Sequence, residues 1–165
     1  MAAMSEEPEI GVEIHRATLE DAEEILALQY LAYEVEAILY DDWLIPPLVE
    51  TVHEVRHDIA QTVVLKVCSG GRIVGSVRGR LRPDSSCYVG RLIVHPDRRR
   101  RGIATRMMLE LEACFPGVAC FELFTGEKSA GNIKLYEGLG YREMGRQVQS
   151  STITIIILRK PASVP

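Results

Sequence analysis

The chain has 165 residues, of which 47% are hydrophobic and 25% charged, with 19 Lys and Arg against 23 Asp and Glu for a net charge of −4. That length suits one domain with a sizeable core, and the composition excludes an intrinsically disordered chain. The acidic balance argues against a general nucleic-acid binder, although a local basic patch is compatible with it.

The opening MAAMSEEPEIG has neither a basic start nor an apolar run, so no secretory signal is expected and residues 1–9 read as a disordered tail. Residues 10–160 read as one domain and 161–165 as a C-terminal tail. IGVEIHR, 10–16, alternates like a strand. Thr18, with Asp21 three residues on, then predicts a capped helix whose apolar positions run from Ala22, Ile25, Leu26 and Leu28 towards Leu39. Pro46 and Pro47 end it, and a second helix is predicted from Leu48 to about Ile59. TVVLKVCS (62–69), IVGSVRGRL (73–81) and CYVGRLIV (87–94) follow as strands with short turns between them, which implies antiparallel pairing. A helix over about 101–115 shows an apolar face at Ile103, Met107, Leu111 and Phe115. Then come a strand at 118–124, a helix at about 130–139, and strands near 141–148 and 152–159. The longest apolar run, ITIIIL at 153–158, is too short to span a bilayer and reads as a buried strand, so no membrane partner is expected. Cys68, Cys87, Cys114 and Cys120 form no C-x-x-C pair and read as reduced, mostly buried thiols of a cytoplasmic protein. The whole is an α/β domain with a mixed, mostly antiparallel sheet.

Two segments carry candidate chemistry. HEVRH, 53–57, has the spacing that sets two imidazoles on one helix face, as in zinc hydrolases. The metzincin extension is excluded, because Ala60 and Val63 stand where Gly and His are required. The apolar stripe of Val49, Val52, Val55 and Ile59 is the face to bury, which leaves His53 and His57 near solvent or at the rim of a pocket. A zinc site is the minor reading, and no metal is expected.

The second segment is VHPDRRRRGIATRMM, 94–108, with four consecutive arginines where a strand gives way to a helix. A helix N-terminus is electropositive, so cations there are disfavoured unless an anion sits among them. Gly102 permits close backbone approach and Ala104 keeps the next inward position small. The segment reads as a pyrophosphate pocket, or else as a solvated basic turn or a weak nucleic-acid patch. It is not a P-loop, since no G-x-x-x-x-G-K-[ST] occurs.

LIVHPDRRRRGIATRMM resembles the acyl-CoA-binding segment of the GNAT superfamily of N-acetyltransferases, in which a strand ending in V-x-P leads into [RQ]-x-x-G-x-[GA]. Arg99, Gly102 and Ala104 stand at the marked positions. NIKLYEGLGY, 132–141, resembles the family's other signature, and the order β-α-α-β-β-β-α-β-α-β-β fits over about residues 10 to 160. The resemblance implies helices on both faces of the sheet and a splayed parallel pair of central strands, with the cofactor's pantetheine arm in the gap. It implies acetyl-CoA as donor and a small-molecule or peptide amine as acceptor, attacked directly in a ternary complex; dimers are common in the family. The cofactor would meet the main chain of Leu92, Ile93 and Val94, and its pyrophosphate the amides of Arg99, Arg100, Arg101, Gly102, Ile103, Ala104 and Thr105. Tyr136 would protonate the leaving thiolate, or else packs its helix as Ile133 and Leu139 do. Asn132 would bond the cofactor, or else cap the helix. No general base is assigned. The acceptor region spans the first two helices, with Tyr33, Glu34, Tyr40, Trp43 and Glu50 as candidates for a cationic amine. Arg78, Arg80 and Arg82 share a strand face that suits an anionic group, and Glu122 stands on the adjoining strand, either acting on the substrate or salt-bridged to a strand arginine. A non-catalytic acyl-CoA sensor is the alternative.

Overall fold

The computed structural model of the chain describes residues 11–163, so the tail read over 1–9 lies outside the described residues. After β1 (Glu13–Arg16), Thr18 forms a capping box with Asp21 over a short 3₁₀ turn, and α1 (Ala22–Tyr40) follows. The predicted second helix is two helices. Pro46 and Pro47 open α2 (Pro46–Val49), because proline fits a first helical turn that needs no N–H. Thr51 then restarts the chain as the cap of α3 (Val52–Gln61), with the Thr51 amide donating to Glu54 Oε2 at 2.7 Å.

The strands β2 (Val63–Ser69), β3 (Arg72–Leu81), β4 (Ser86–Val94), β5 (Cys120–Gly126), β6 (Arg142–Val148) and β7 (Thr154–Pro161) complete a seven-stranded sheet in the order β1-β2-β3-β4-β5-β7-β6. Every neighbouring pair is antiparallel except β4 and β5, which α4 (Ile103–Ala113) joins as a crossover. α5 (Ala130–Gly138) connects β5 to β6.

Strand alternation divides the sheet into two faces. On one, Met107, Met108 and Leu111 of α4 lie fully buried with Val77, Cys87, Phe121 and Leu158, each large apolar side chain contributing roughly 1.5–3 kcal/mol. β3 admits this helix through two glycines. A Cβ at Gly79 would meet Phe115 Cε2 at 2.8 Å, and one at Gly75 would meet Met107 Cε at 2.9 Å. On the opposite face, α1 and α3 pack Ala22, Ile25, Leu28 and Val55 against Val64, Ile73 and Ile93. Among the cysteines only Cys87 is fully buried, and Cys114 is exposed, so the thiols are less enclosed than their apolar setting in the sequence suggests.

Candidate active site

The parallel ladder between β4 and β5 holds for three residues only, Ser86–Tyr88 against Cys120–Glu122. Beyond Tyr88 the strands part. On its other side β4 pairs with β3, but Ser76 faces Ile93 while Arg78 faces Gly90, so β4 carries one extra residue there. The bulge falls at Arg91, whose φ is 50°, and a bulge bends its strand. The His95 amide donates to Val74 O at 2.8 Å, so the main chain of His95 and, by alternation, Ile93 belongs to the β3 ladder. Of the three predicted contact residues, Leu92 and Val94 therefore turn their amides and carbonyls towards the gap. Ile93 instead packs its side chain against α1.

Past β4 the chain makes a 3₁₀ turn at Pro96–Arg98, reaches φ values of 61° at Arg100 and 77° at Gly102, and enters α4. The amides of Ile103, Ala104 and Thr105 occupy the first turn, where no earlier helical carbonyl can accept them. A Cβ built on Gly102 meets nothing within 4 Å, so this backbone faces open space. The arginines divide their work. Arg99 donates to the Ala32 carbonyl of α1 at 3.2 Å and Arg98 to Ser69 Oγ at 3.1 Å, anchoring the turn, whereas Arg100 and Arg101 are exposed beside it. Ile103 buries its side chain and has only main chain to offer a ligand.

Tyr136 projects from α5 and is 7% exposed, packed edge-on to Tyr141 with ring centroids 6.0 Å apart. Burial raises its phenol far above the ordinary value, and nearby Tyr33, Glu36 and Tyr88 push the same way. Tyr33 is itself raised to about 12, chiefly by burial. Three phenols and a carboxylate from α1, β4 and α5 thus converge where β4 leaves β5. Glu36 accepts from Ser129 Oγ at 2.7 Å and Asn132 Nδ2 at 3.4 Å, while the Tyr40 hydroxyl meets Ser129 Oγ at 2.8 Å and accepts from the Lys128 amide at 3.0 Å. Asn132 is therefore tied to α1, and Gly126 is glycine because a Cβ there would overlap the Tyr40 hydroxyl.

The remaining predicted residues separate. Arg78 does not line an acceptor site, because it is 7% exposed and enclosed by Glu50 at 2.7 Å, Asp58 at 2.8 Å and Gln29 at 2.9 Å. Burial raises the Glu50 carboxyl, but the hydrogen bonds from Arg78 and Gln29 outweigh it and hold the group below its usual range. Glu50 also receives Arg91 Nε at 3.4 Å, so the cluster pins α1, α2 and α3 to the bulge. Glu34 is exposed on α1, and Trp43 is 55% exposed in the loop before α2. Glu122 bonds Arg159 Nη2 at 2.6 Å and Arg82 Nη1 at 2.8 Å, and the Arg159 bond chiefly lowers its pKa, so it is a poor proton acceptor. Both Arg80 and Arg82 lie over the Tyr88 ring, 5.1 and 4.6 Å from its centroid. Beyond Tyr88 a cavity of about 250 Å³ opens, lined by Arg82, Glu122, Phe124, Gln147, Gln149 and Ile157. Sequence reading missed Glu36, Tyr88 and Arg91, whose convergence is tertiary.

In the HEVRH segment, His53 and His57 are exposed on α3 and Glu54 is occupied as the partner of the Thr51 cap. Among the described residues no group of three His, Cys, Asp or Glu stands close enough to hold a metal ion, and no helix is long and apolar enough to cross a membrane.

Solved structures share this architecture. The ribosomal-protein-S18-alanine N-acetyltransferase from Escherichia coli superposes with a TM-score of 0.76 at 17% identity, over 93% of this chain and 96% of that one. The PaiA N-acetyltransferase from Thermoplasma acidophilum, solved in complex with coenzyme A, gives 0.74 at 14% over 92% and 99%. The Streptococcus mutans UA159 protein smu.2055 gives 0.78 at 15% over 92% and 99%. No curated protein matches the chain. The sequence profile described as "Acetyltransferase (GNAT) family" matches residues 19–141. The splayed strands, the glycine-led arginine turn and that match over most of its length make the chain a member of the GNAT acetyltransferase family.

Proposed function

We propose that the protein is an acetyl-CoA-dependent N-acetyltransferase that acetylates a primary amine by direct attack in a ternary complex. The observation that carries this reading is the gap between β4 and β5, with the open first turn of α4 beyond it and the Tyr136 phenol beside Tyr88. The residues present suit the donor. Gly102 faces open space, the first-turn amides and exposed Arg100 and Arg101 suit a pyrophosphate, and the gap-side groups of Leu92 and Val94 suit an amide-bearing arm.

When bound, acetyl-CoA supplies a thioester: its C–S bond breaks as the neutral amine nitrogen forms the new C–N bond, and the proton lost by nitrogen balances the one the thiolate gains. Tyr136 holds a proton at its hydroxyl across the physiological range, because burial opposes its ionisation. That makes it the acid for the leaving thiolate. Its own phenolate is costly, so donation needs support from the site, and Arg91 is the cation that most favours ionisation of the neighbouring Tyr33 and Tyr88 phenols. Glu122 is not the base, since two guanidiniums hold its charge. Glu36 is spent on Ser129 and Asn132 and serves to position α5 on α1.

Thermal unfolding with acetyl-CoA, coupled to thiol release over a panel of amines, tests the reading. Acetyl-CoA at a hundred times its dissociation constant should add about 2.7 kcal/mol, with thiol released only when an acceptor is present. Binding without turnover across the panel would make the protein an acyl-CoA sensor; absence of any shift would refute the donor assignment.

A further inference from the structure

The arginine alternation on β3 splits into an internal residue, Arg78, and two that reach the cavity side, Arg80 and Arg82. Both rest on the Tyr88 ring, whose phenol is close enough to Tyr136 to act on its ionisation, and whose ring meets Phe124 at 5.8 Å between centroids. Tyr88 therefore spans from the acetyl-transfer point to the mouth of the cavity. Of the charged groups here, Arg82 and Glu122 line the cavity, Arg159 bonds Glu122, Arg80 stands over the same Tyr88 ring as Arg82, and Asp84 lies near Arg82 and Arg159. Glu122 is consumed by Arg82 and Arg159, and Asp84 by the Ser86 amide and hydroxyl at 2.9 and 2.5 Å. Arg80 is exposed and forms no ion pair with a described residue. Of the carboxylates in the acceptor region, Glu50 is paired with Arg78, Glu36 accepts from the neutral groups of Ser129 and Asn132, and Glu34 is exposed on the outer side of α1.

Resting on the acetyltransferase reading above, we propose that the acceptor is an α-amine with an acidic side chain on its own or the adjoining residue, whose side-chain carboxylate Arg80 receives beside Tyr88 while the amine reaches the Tyr33–Tyr88–Tyr136 cluster. Arg82 is the second cation of this anion site, partly discharged by Glu122. The apolar wall of Phe124 and Ile157 takes the intervening methylenes, and the amides of Gln147 and Gln149 remain for polar groups further out. A free amino dicarboxylate and a peptide with an acidic residue beside its N-terminus share this chemistry.

The test compares thiol release, with acetyl-CoA saturating, from matched acceptors: aspartate and glutamate against asparagine and glutamine, and short peptides with Glu or Gln at the second position. The acidic member of at least one pair should show kcat/KM higher by roughly tenfold or more, the scale of one charge-assisted hydrogen bond. The pair that discriminates identifies the source as free amino acid or peptide. Arg80→Gln should erase the preference by raising KM for the acidic acceptor far more than for the amide analogue, and keep the acetyl-CoA thermal shift; Arg80→Lys should restore part of it. Equal use of acid and amide, or a preference for putrescine, with an intact acetyl-CoA shift would overturn the anionic acceptor alone. If no amine is acetylated, glutamate and Glu-containing peptides should still add to the thermal shift seen with coenzyme A, and their failure to do so overturns it too. Loss of the acetyl-CoA shift itself would instead strike the donor assignment.

Discussion

Gly102→Glu separates folding from donor binding at one position. Gly102 has φ 77° and opens α4. A side chain there incurs left-handed strain of roughly 1–2 kcal/mol, partly offset by about 0.3–1 kcal/mol from a carboxylate at a helix N-terminus. No atom lies within 4 Å of the new Cβ, so no packing penalty is added. The net cost is about 1 kcal/mol, or about 2–4 °C in Tm for a domain of this size. Against a bound pyrophosphate the same carboxylate meets like charge. At about 4 Å and an effective dielectric of about 20 the repulsion is about 4 kcal/mol, nearly a thousandfold in affinity. The assay is thermal unfolding with and without acetyl-CoA for wild type, Gly102→Ala and Gly102→Glu. Both variants should melt within a few degrees of wild type; the alanine variant should keep most of the ligand shift and the glutamate variant should lose it. An undiminished shift in Gly102→Glu would refute the pyrophosphate site.

Three further outcomes follow from the described contacts. Tyr136→Phe should lower kcat about a hundredfold while leaving the acetyl-CoA shift intact, and any wild-type loss of rate below about pH 10 must come from another group, because Tyr136 ionises only above the ordinary phenol range. Arg78→Met leaves Glu50 buried without its main cation and should cost roughly 3–5 kcal/mol, about 10 °C in Tm; Glu50→Gln added to it should recover part of the loss, and a Tm drop no greater than a surface substitution gives would show the cluster to be dispensable. Glu122, held low first by Arg159, and Glu50 and Asp21, where hydrogen bonds outweigh the opposing effect of burial, all have folded pKa values below their unfolded ones. Their stabilisation is complete above about pH 4.5 and is lost as pH falls through the lower folded values, so Tm should decline on the acid side and Glu122→Gln should flatten that decline.

The order of strands and helices was legible because its signals are local: alternation in β2–β4, the proline break after α1, the steps of four in α4. The arginine turn was legible because arginines at a helix start contradict the dipole unless something compensates them. The break between α2 and α3 had its signal too, since TVHE is a capping box that the HEVRH pattern overlaps. What stayed hidden depended on distance through space. Alternation put Arg78, Arg80 and Arg82 on one face without telling that α3 and α2 cover only the first. Nothing local to Gly75 and Gly79 tells that the α4 region lies across them. Tyr88 and Glu36 carry no motif at all, and only the parting of two strands brings them to Tyr136.

A sheet that opens at its centre has two internal rims where other sheets have none. Unpaired strand rims ordinarily recruit foreign strands, and proteins shield them. Here α1 underlies the β4 rim through Ile93, and Tyr136 of α5 closes in from the other face. An incoming polypeptide would have to place side chains above and below the sheet, into both helices. A slender chain that carries amides but no substituents on alternate atoms meets no such obstruction. The crevice thus suits a narrow chain better than a second β-strand.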